Sequence, residues 1–320
     1  MQKIGYANRL NLPRKLLTYL EKIRSRLYAD YYLRKKDGSK REIAVYVCDS
    51  RIASQLDEKL VEYSKVLKLV HRRIKNLLDE TIDLPDCVFG FKKNCSTKIA
   101  ASKHVGKKYI FSVDIKDFFP SITSDMVQQA LMNEGVEQND AWLIARLVAY
   151  KGRLPQGAIT SPTVSNVVFK PKDLQILKLC ERYGLTYTRY ADDLTFSTND
   201  EINWVEFTDE LEKILQPEYR INTKKLKIYG PKQAHYVLGL IVNRKVNTPK
   251  SYRRTLRAAV YNYLNGKVPY GVDPVKYKAT LKAKLGYALY INEIPSLRRL
   301  YEQLKRFDPN EVKNWEHIVV

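Results

Sequence analysis

The residues best placed to do chemistry are carboxylates. In RYADDLTFS (189–197), Asp192 and Asp193 stand side by side inside an apolar and aromatic stretch. Strand interiors are depleted in Asp, and adjacent carboxylates repel each other, so a compensating partner is implied. A second stretch, VDIKDFFPSI (113–122), places Asp114 at the end of the apolar run YIFSV, with Asp117 three residues on. If Asp114 and the Asp192–Asp193 pair lie on adjacent strands, their carboxylates converge. Such a cluster stays ionised in a partly buried place only with cations beside it. Hard oxygen ligands from two or three aspartates, with room for substrate phosphates, suit Mg²⁺. Two such ions, about 4 Å apart, serve phosphoryl transfer. The chemistry indicated is nucleotidyl transfer or nuclease cleavage. The plainer alternative is a polar hairpin tip and an unrelated strand end.

The rest of the chain must position these groups and meet their substrate. Its 320 residues suffice for a large core divided into two or three sub-domains. With 56 Lys+Arg against 35 Asp+Glu the formal net charge is +21, an excess that points to a polyanionic partner, most simply nucleic acid. The N-terminus carries no long apolar run, and no stretch approaches the ~20 apolar residues that span a bilayer. Cys48, Cys87, Cys95 and Cys180 form no CxxC pair and the four histidines are scattered, which argues against structural zinc. Free thiols fit a reducing cytoplasm, so a cytoplasmic protein with no membrane partner is expected.

Along the chain, residues 1–30 are basic with helical patterning. Residues 31–49 read as two strands about the turn DGSK, and 51–79 as an amphipathic helix. VFGFKKN (88–94) is a glycine-interrupted extended piece, and 96–105 a short helix ending at Gly106. Residues 107–122 form a strand running into a turn at Pro120. A helix follows with Thr123 or Ser124 as N-cap and Gly135 past its end, then another over 139–150. KGRLPQGAITSPTVSNVVF (151–169) is a Gly/Pro-rich loop entering a helix, which Pro171 is expected to kink or restart before 173–182. Residues 185–197 pair as a hairpin around ADD, 203–216 are helical up to Pro217, and 219–246 return to strands. Three helices close the chain: one ends at Gly266, one starts with Asp273 as N-cap and Pro274 at N1, and one covers SLRRLYEQLKRF. From 245 to 320 there are 15 Lys+Arg against 6 Asp+Glu, a basic helical module. Strands and helices without regular βαβ alternation indicate an α+β fold.

Four segments in order, VDIKDFFPSI, LPQGAITSP, RYADDLTFS and INTKKLKI, resemble the successive palm motifs of reverse transcriptases, and the resemblance extends from about residue 31 to 290. It implies a right-hand polymerase fold: fingers over about 1–106 and 123–160, a palm of antiparallel sheet and helices over about 107–122 and 161–245, and a basic helical thumb over 246–320. It also implies roles. Asp114 and Asp192 would ligate both of two Mg²⁺ ions, with Asp193 nearby. Phe119 matches the ring that lies under the incoming sugar and excludes a 2′-OH, selecting dNTPs; Phe118 beside it is equally a core residue. Asp117 falls in the same nucleotide-binding stretch. Gln156 and Gly157 match the loop that packs on the nascent base pair, Gly157 permitting close backbone approach. Arg41 matches a fingers residue that holds triphosphate, and Lys225 a lysine that protonates pyrophosphate; a solvated surface charge is the alternative for each.

Among reverse transcriptases the chain looks most like the bacterial retron enzymes, since its length leaves no room for an RNase H, integrase, maturase or endonuclease domain. Those enzymes copy part of a structured non-coding RNA into DNA primed by a 2′-OH of the same RNA, giving RNA-linked msDNA. Two RNA-recognition segments depart from the retron pattern: AASKH (100–104) keeps Ala101 and His104 but has Ala100 where Asn is usual, and VLG (237–239) has Leu238 where Thr is usual. The resemblance assigns RNA or primer binding to His104, Val237 and Gly239, and to Arg253, Arg254, Arg257, Lys278 and Lys282 of the thumb, which grips phosphates. Partners implied are the cognate RNA, its DNA product, dNTPs and a toxic effector protein encoded nearby, in anti-phage defence. The alternatives are another defence-associated bacterial reverse transcriptase with different priming, a catalytically silent RNA-binding protein, and a two-metal nuclease. The nuclease has no need of Phe119 or of LPQG.

Overall fold

The computed structural model describes residues 6–34, 38, 40–50, 52, 57–312 and 314–319. Helix α1 (Tyr6–Arg9) and helix α2 (Arg14–Ile23) precede strand β1 (Tyr28–Arg34), which pairs antiparallel with β2 (Lys40–Tyr46) in a register running from Tyr28↔Tyr46 to Arg34↔Lys40. The hairpin thus begins at Tyr28, earlier than the sequence suggests, and Asp37 and Ser39 of its turn lie outside the described residues. Helix α3 (Glu58–Thr81) starts at a local signal: Asp57 accepts hydrogen bonds from the amides of Lys59 and Leu60, a cap worth about 1 kcal/mol. Of the stretch expected to be helical from residue 51, residues 51 and 53–56 lie outside the described residues.

After α4 (Thr97–Ser102) and β3 (Tyr109–Asp114) comes α5 (Phe118–Ser121), which takes Pro120 into a short helical turn rather than ending at it. A proline's fixed φ suits a first helical turn, where its missing N–H is not needed. Helix α6 (Ser124–Asn133) is capped by Thr123, and α7 (Gln138–Val148) follows. Helix α8 (Ser161–Tyr183) runs through Pro171 without a restart. Val164, Val167 and Phe169 before the proline, and Ile176 and Leu179 after it, are all buried. That packing holds both halves of the helix and outweighs the one lost backbone bond, while Pro171 itself faces solvent. Strands β4 (Thr186–Tyr190) and β5 (Asp193–Thr198) form an antiparallel hairpin, and α9 (Trp204–Leu215) starts at an Asn203 cap. With β6 (Lys227–Tyr229) they complete a four-stranded sheet of order β4-β5-β3-β6. Only short strands, β6, β7 (Tyr236–Val237) and β8 (Leu240–Ile241), occupy the region 219–246 that reads as extended. Helix α10 (Lys250–Leu264), β9 (Lys267–Pro269), α11 (Pro274–Ile291), α12 (Pro295–Arg306) and β10 (Glu316–Ile318) close the chain, with Asp273 capping α11 through the Lys276 amide.

Backbone contacts gather the chain into two units. The first, residues 1–96 and 111–228, has one continuous core from Tyr6 to Ile221. Phe111, Phe196, Phe207 and Trp204 pack there at ring separations of 4.9–6.0 Å, joining β3, β5 and α9 on one face of the sheet. The second unit takes in 97–110 and 229–320. Its helices α10, α11 and α12 surround Leu256, Val260, Tyr263, Leu285 and Leu304, and Ala101, Ile110, Val237, Leu240, Val242 and Ile291 form a separate small cluster. Among the described residues no helix is long and apolar enough to cross a membrane.

Candidate active site

Strand alternation decides where the carboxylates point. In β3, Phe111 and Val113 face the core, so Asp114 closes the opposite face; in β5, Leu194 and Phe196 face the core, so Asp193 and Thr195 lie opposite. Between β4 and β5 the loop is only Ala191 and Asp192, since Tyr190 already pairs with Asp193. The end of β3 is fixed to this loop by Ile115 N–H donating to the Asp192 carbonyl (2.8 Å), and on its other side Asn222 N–H donates to the Asp114 carbonyl (2.8 Å). Asp114, Asp192 and Asp193 therefore share one sheet end, with Lys225 just beyond Asn222.

The charge of Asp114 acts on both neighbouring carboxyls. Burial, followed by the charge of Asp114, raises the pKa of Asp192, although Lys225 and Arg41 pull it down. Asp193 is pushed up to about 6, first by burial and then by Asp114; Thr195 Oγ1 donates to its Oδ1 (3.1 Å) and offsets part of this. Lys225 Nζ donates to Asp114 Oδ2, and this bond raises the lysine's own pKa. The site is a set of hard oxygen donors short of positive charge, with a side-chain ammonium on one of them. That donor set fits a divalent cation. Among the described residues, no group of three or more His, Cys, Asp or Glu side chains is close enough together to hold a metal ion.

The loop carrying Asp192 is gripped by a network that sequence reasoning missed. Arg189 is fully buried. Its guanidinium makes a bidentate pair with Asp173 (Nε to Oδ1 2.9 Å, Nη2 to Oδ2 2.7 Å), while Nη1 donates to Asn166 Oδ1 (2.9 Å) and to the Ala191 carbonyl (3.3 Å). Tyr187 OH also donates to Asp173 (2.9 Å), and the guanidinium lies 4.8 Å from the Phe169 ring centre. Burial would lower the Arg189 pKa, but the Asp173 carboxylate outweighs it and keeps the guanidinium charged. Asn166 Nδ2 in turn donates to the Gly90 carbonyl (2.9 Å). Gly90 packs so closely on the loop that a Cβ there would come within 2.3 Å of the Ala191 nitrogen. Ala191 itself holds φ +58°. The available signal was Asn166 and Asp173, seven residues apart on one face of α8, opposite an arginine in a strand of threonine and tyrosine.

The remaining expected residues fall in several places. Phe119 is half-buried, 5.5 Å from Phe118 between ring centres, whereas Phe118 is buried against Phe169 and Tyr219 and belongs to the core. Asp117 is exposed with φ +49° at the start of α5. The Gln156 carbonyl accepts from Ala44 N–H (2.8 Å), and a Cβ on Gly157, whose φ is +110°, would lie 2.7 Å from the Ala44 carbonyl. The LPQG loop is thus fastened to β2, the strand that carries exposed Arg41. Tyr46 of that strand holds the loop too: its hydroxyl accepts from Ile159 N–H (3.1 Å) and meets His71 Nδ1 (2.7 Å), while His71 Nε2 meets the Leu147 carbonyl (3.0 Å).

In the second unit Val237, Leu238 and Gly239 form the β7–β8 turn, with Leu238 at φ +50° and Gly239 at φ +77°, the pattern of a type I′ hairpin. Val237 and His104 are fully buried, so neither presents its side chain to solvent; burial, with Lys107 adding to it, depresses the His104 pKa to about 3. Arg254, Arg257 and Lys282 are exposed. Arg253 donates to Asn247 (3.0 Å) and Lys278 to the Phe307 carbonyl (2.6 Å), so these two also fasten their helices.

Residues 33–242 match the reverse transcriptase (RNA-dependent DNA polymerase) family. Among curated proteins the chain is 31% identical over 256 residues to the retron Ec86 reverse transcriptase of Escherichia coli, covering 79% of this chain and 74% of that one. It is 31% identical over 246 residues to the retron Mx65 reverse transcriptase of Myxococcus xanthus, covering 71% of this chain but only 56% of that longer protein. Its fold is similar to that of apo telomerase from Candida tropicalis, with a TM-score of 0.55 at 11% identity over 86% of this chain and 58% of that one. It is likewise similar to telomerase from Candida albicans bound to a telomeric RNA fragment, with a TM-score of 0.52 at 10% identity over 89% and 64%. At such identities the likeness is one of fold alone.

Proposed function

The chain belongs to the retron-type reverse transcriptase family of RNA-directed DNA polymerases, and from that premise we propose that it copies a cognate structured non-coding RNA into single-stranded DNA left joined to that RNA, as msDNA used in anti-phage defence with an effector protein. The observation that carries the catalytic part is the cluster of Asp114, Asp192 and Asp193, in which burial and then the charge of Asp114 raise the carboxyl pKa values at 192 and 193.

In this reading Asp114 and Asp192 hold two Mg²⁺ ions, with Asp193 beside them. When bound, the ions supply the positive charge that activates the attacking hydroxyl and steadies the leaving oxygen. The chain's own residues do the rest. Arg41 binds the triphosphate. Lys225, held protonated by Asp114, exchanges that partner for phosphate oxygens and offers its Nζ proton to the pyrophosphate. Phe119 excludes a 2′-OH, and the Gln156–Gly157 loop, fastened to β2, supports the nascent pair. Residues 1–106 and 123–160 act as fingers, 107–122 and 161–245 as palm, and 246–320 as thumb. Arg254, Arg257 and Lys282 meet backbone phosphates, with Arg253 and Lys278 holding their helices. The turn at Val237–Gly239 supports the primer end, and the segment that holds the buried His104 takes part in RNA recognition.

Asp192→Ala is expected to abolish dNTP incorporation while RNA binding stays near wild type, because binding rests on the basic surface. Synthesis at the wild-type rate would overturn the metal assignment. Sequencing the nucleic acid that co-purifies, with and without debranching enzyme, tests the retron part: a short DNA joined 2′,5′ to RNA supports it. Ala100 and Leu238 favour one second reading, a defence reverse transcriptase with another priming route, which unbranched DNA would support.

A further inference from the structure

Phe91 is a large aromatic residue held in the left-handed region, at φ +61°. Bulky residues rarely adopt that conformation, and where they do the surrounding structure imposes it, most often at functional sites. Core packing does not explain it. The residue is 41% exposed, and it borders an open cavity of about 690 Å³ that it shares with Asp79, Lys92 and Thr163. The placement is imposed from next door: Gly90 is pinned by Asn166 and by its close approach to Ala191, and the left-handed turn directly after it sets the ring of Phe91. That ring lies 6.3 Å from Phe119 and 6.4 Å from Tyr190, centre to centre.

We infer that Phe91 is a positioning residue for sugar selection: its ring braces Phe119 beside the catalytic loop and keeps it from turning aside when a ribonucleotide presents a 2′-OH. This rests on the reading of Phe119 as the residue that excludes the 2′-OH. A half-exposed ring changes rotamer in picoseconds to nanoseconds, so it discriminates only when something stops it from moving. Phe118 provides one flank from the core, and Phe91 provides another from a backbone position that cannot relax while Gly90 abuts Ala191.

The test is primer extension by the full chain on a synthetic RNA template with a DNA primer and Mg²⁺, comparing kcat/KM for a dNTP and the matching rNTP. Phe91→Gly removes the ring and suits the left-handed backbone, so its melting temperature should be unchanged or raised. Its preference for dNTP should fall by about 3- to 10-fold, the scale of one aromatic contact, chiefly through a lower KM for the rNTP. Phe91→Leu should recover most of the preference. Phe119→Ala should lose more, and Phe91→Gly should then add nothing. If Phe119→Ala loosens selection and Phe91→Gly does not, the brace is refuted and the role of Phe119 stands. If Phe119→Ala leaves selection intact, the underlying reading fails and takes the inference with it. Fully additive losses in the double variant would also overturn the brace, since Phe91 would then act without Phe119.

Discussion

Replacing Asp173 by Asn should unfold the support beneath the loop that carries Asp192, and the size of the effect follows from the contacts. Arg189 and Asp173 are both fully buried, and Asp173 accepts from Arg189 and from Tyr187 OH. Removing one member of such a pair leaves an uncompensated buried charge and costs about 3–5 kcal/mol. At about 2–4 °C per kcal/mol for a unit of this size, the transition should fall by roughly 10 °C. Replacing both members together, Arg189→Met with Asp173→Leu, removes the charge as well as its partner. The double variant should lie within about 1–2 kcal/mol of wild type, the residual being the unpaired Tyr187 hydroxyl and Asn166 amide. Stability and activity should then part company. The double variant folds but lacks the guanidinium that holds the Ala191 carbonyl, so primer extension should stay at least 10-fold down and need more Mg²⁺. Urea unfolding and extension rates across a Mg²⁺ series, run on wild type, Arg189→Met, Asp173→Leu and the double variant, provide the cycle. A double variant as unstable as the single would refute the energetic reasoning. A double variant extending primers at the wild-type rate would refute the positioning of Asp192 by this network.

Two other consequences are directly measurable. His71 is depressed to about 4 by burial, only partly offset by its bond to the Leu147 carbonyl, so it is neutral when folded and takes up a proton on unfolding below pH 6.5. The stability it contributes is fully present above pH 6.5 and lost as pH falls through about 4, amounting to about 2 kcal/mol by pH 5. Urea midpoints at pH 7.5 and 5 should show that loss, with a flatter slope in His71→Asn; an unchanged slope would exclude His71 as its source. Gly157→Ala places a Cβ against the Ala44 carbonyl at a φ that disfavours side chains, which should cost about 1–3 kcal/mol. Because the loop and β2 would separate, the KM for dNTP should rise while RNA affinity holds, and an unchanged KM would show that the two need not be joined.

What could be read in the sequence was what neighbouring residues determine. The caps at Thr123 and Asp273 and the hairpin around Ala191–Asp192 follow from local chemistry. The order of the four motif segments was enough to bring Asp114 to Asp192 and Asp193. What escaped depends on residues far apart in the chain. Nothing near Pro171 announces that packing on both sides will carry α8 through it, and nothing near His104 shows that its ring will be enclosed. Arg189 looked like one more basic residue in a chain of 56 Lys+Arg, until Asp173 and Asn166 on one helix face gave it partners.

The contact between Gly90 and Ala191 also bears on how this enzyme can be altered. Randomising 189–193 to change the loop that carries Asp192 would sample a space already narrowed from outside, because any side chain larger than hydrogen at 90 would collide with the loop backbone. Conversely, residues at 191 that reshape the loop would have room only if the segment from Gly90 to Phe91 moved with it. The two segments form a single unit of heredity in the practical sense. Diversity introduced in one should mostly abolish activity unless the other is varied in the same library, and paired libraries are where active variants with new substrate preferences should accumulate.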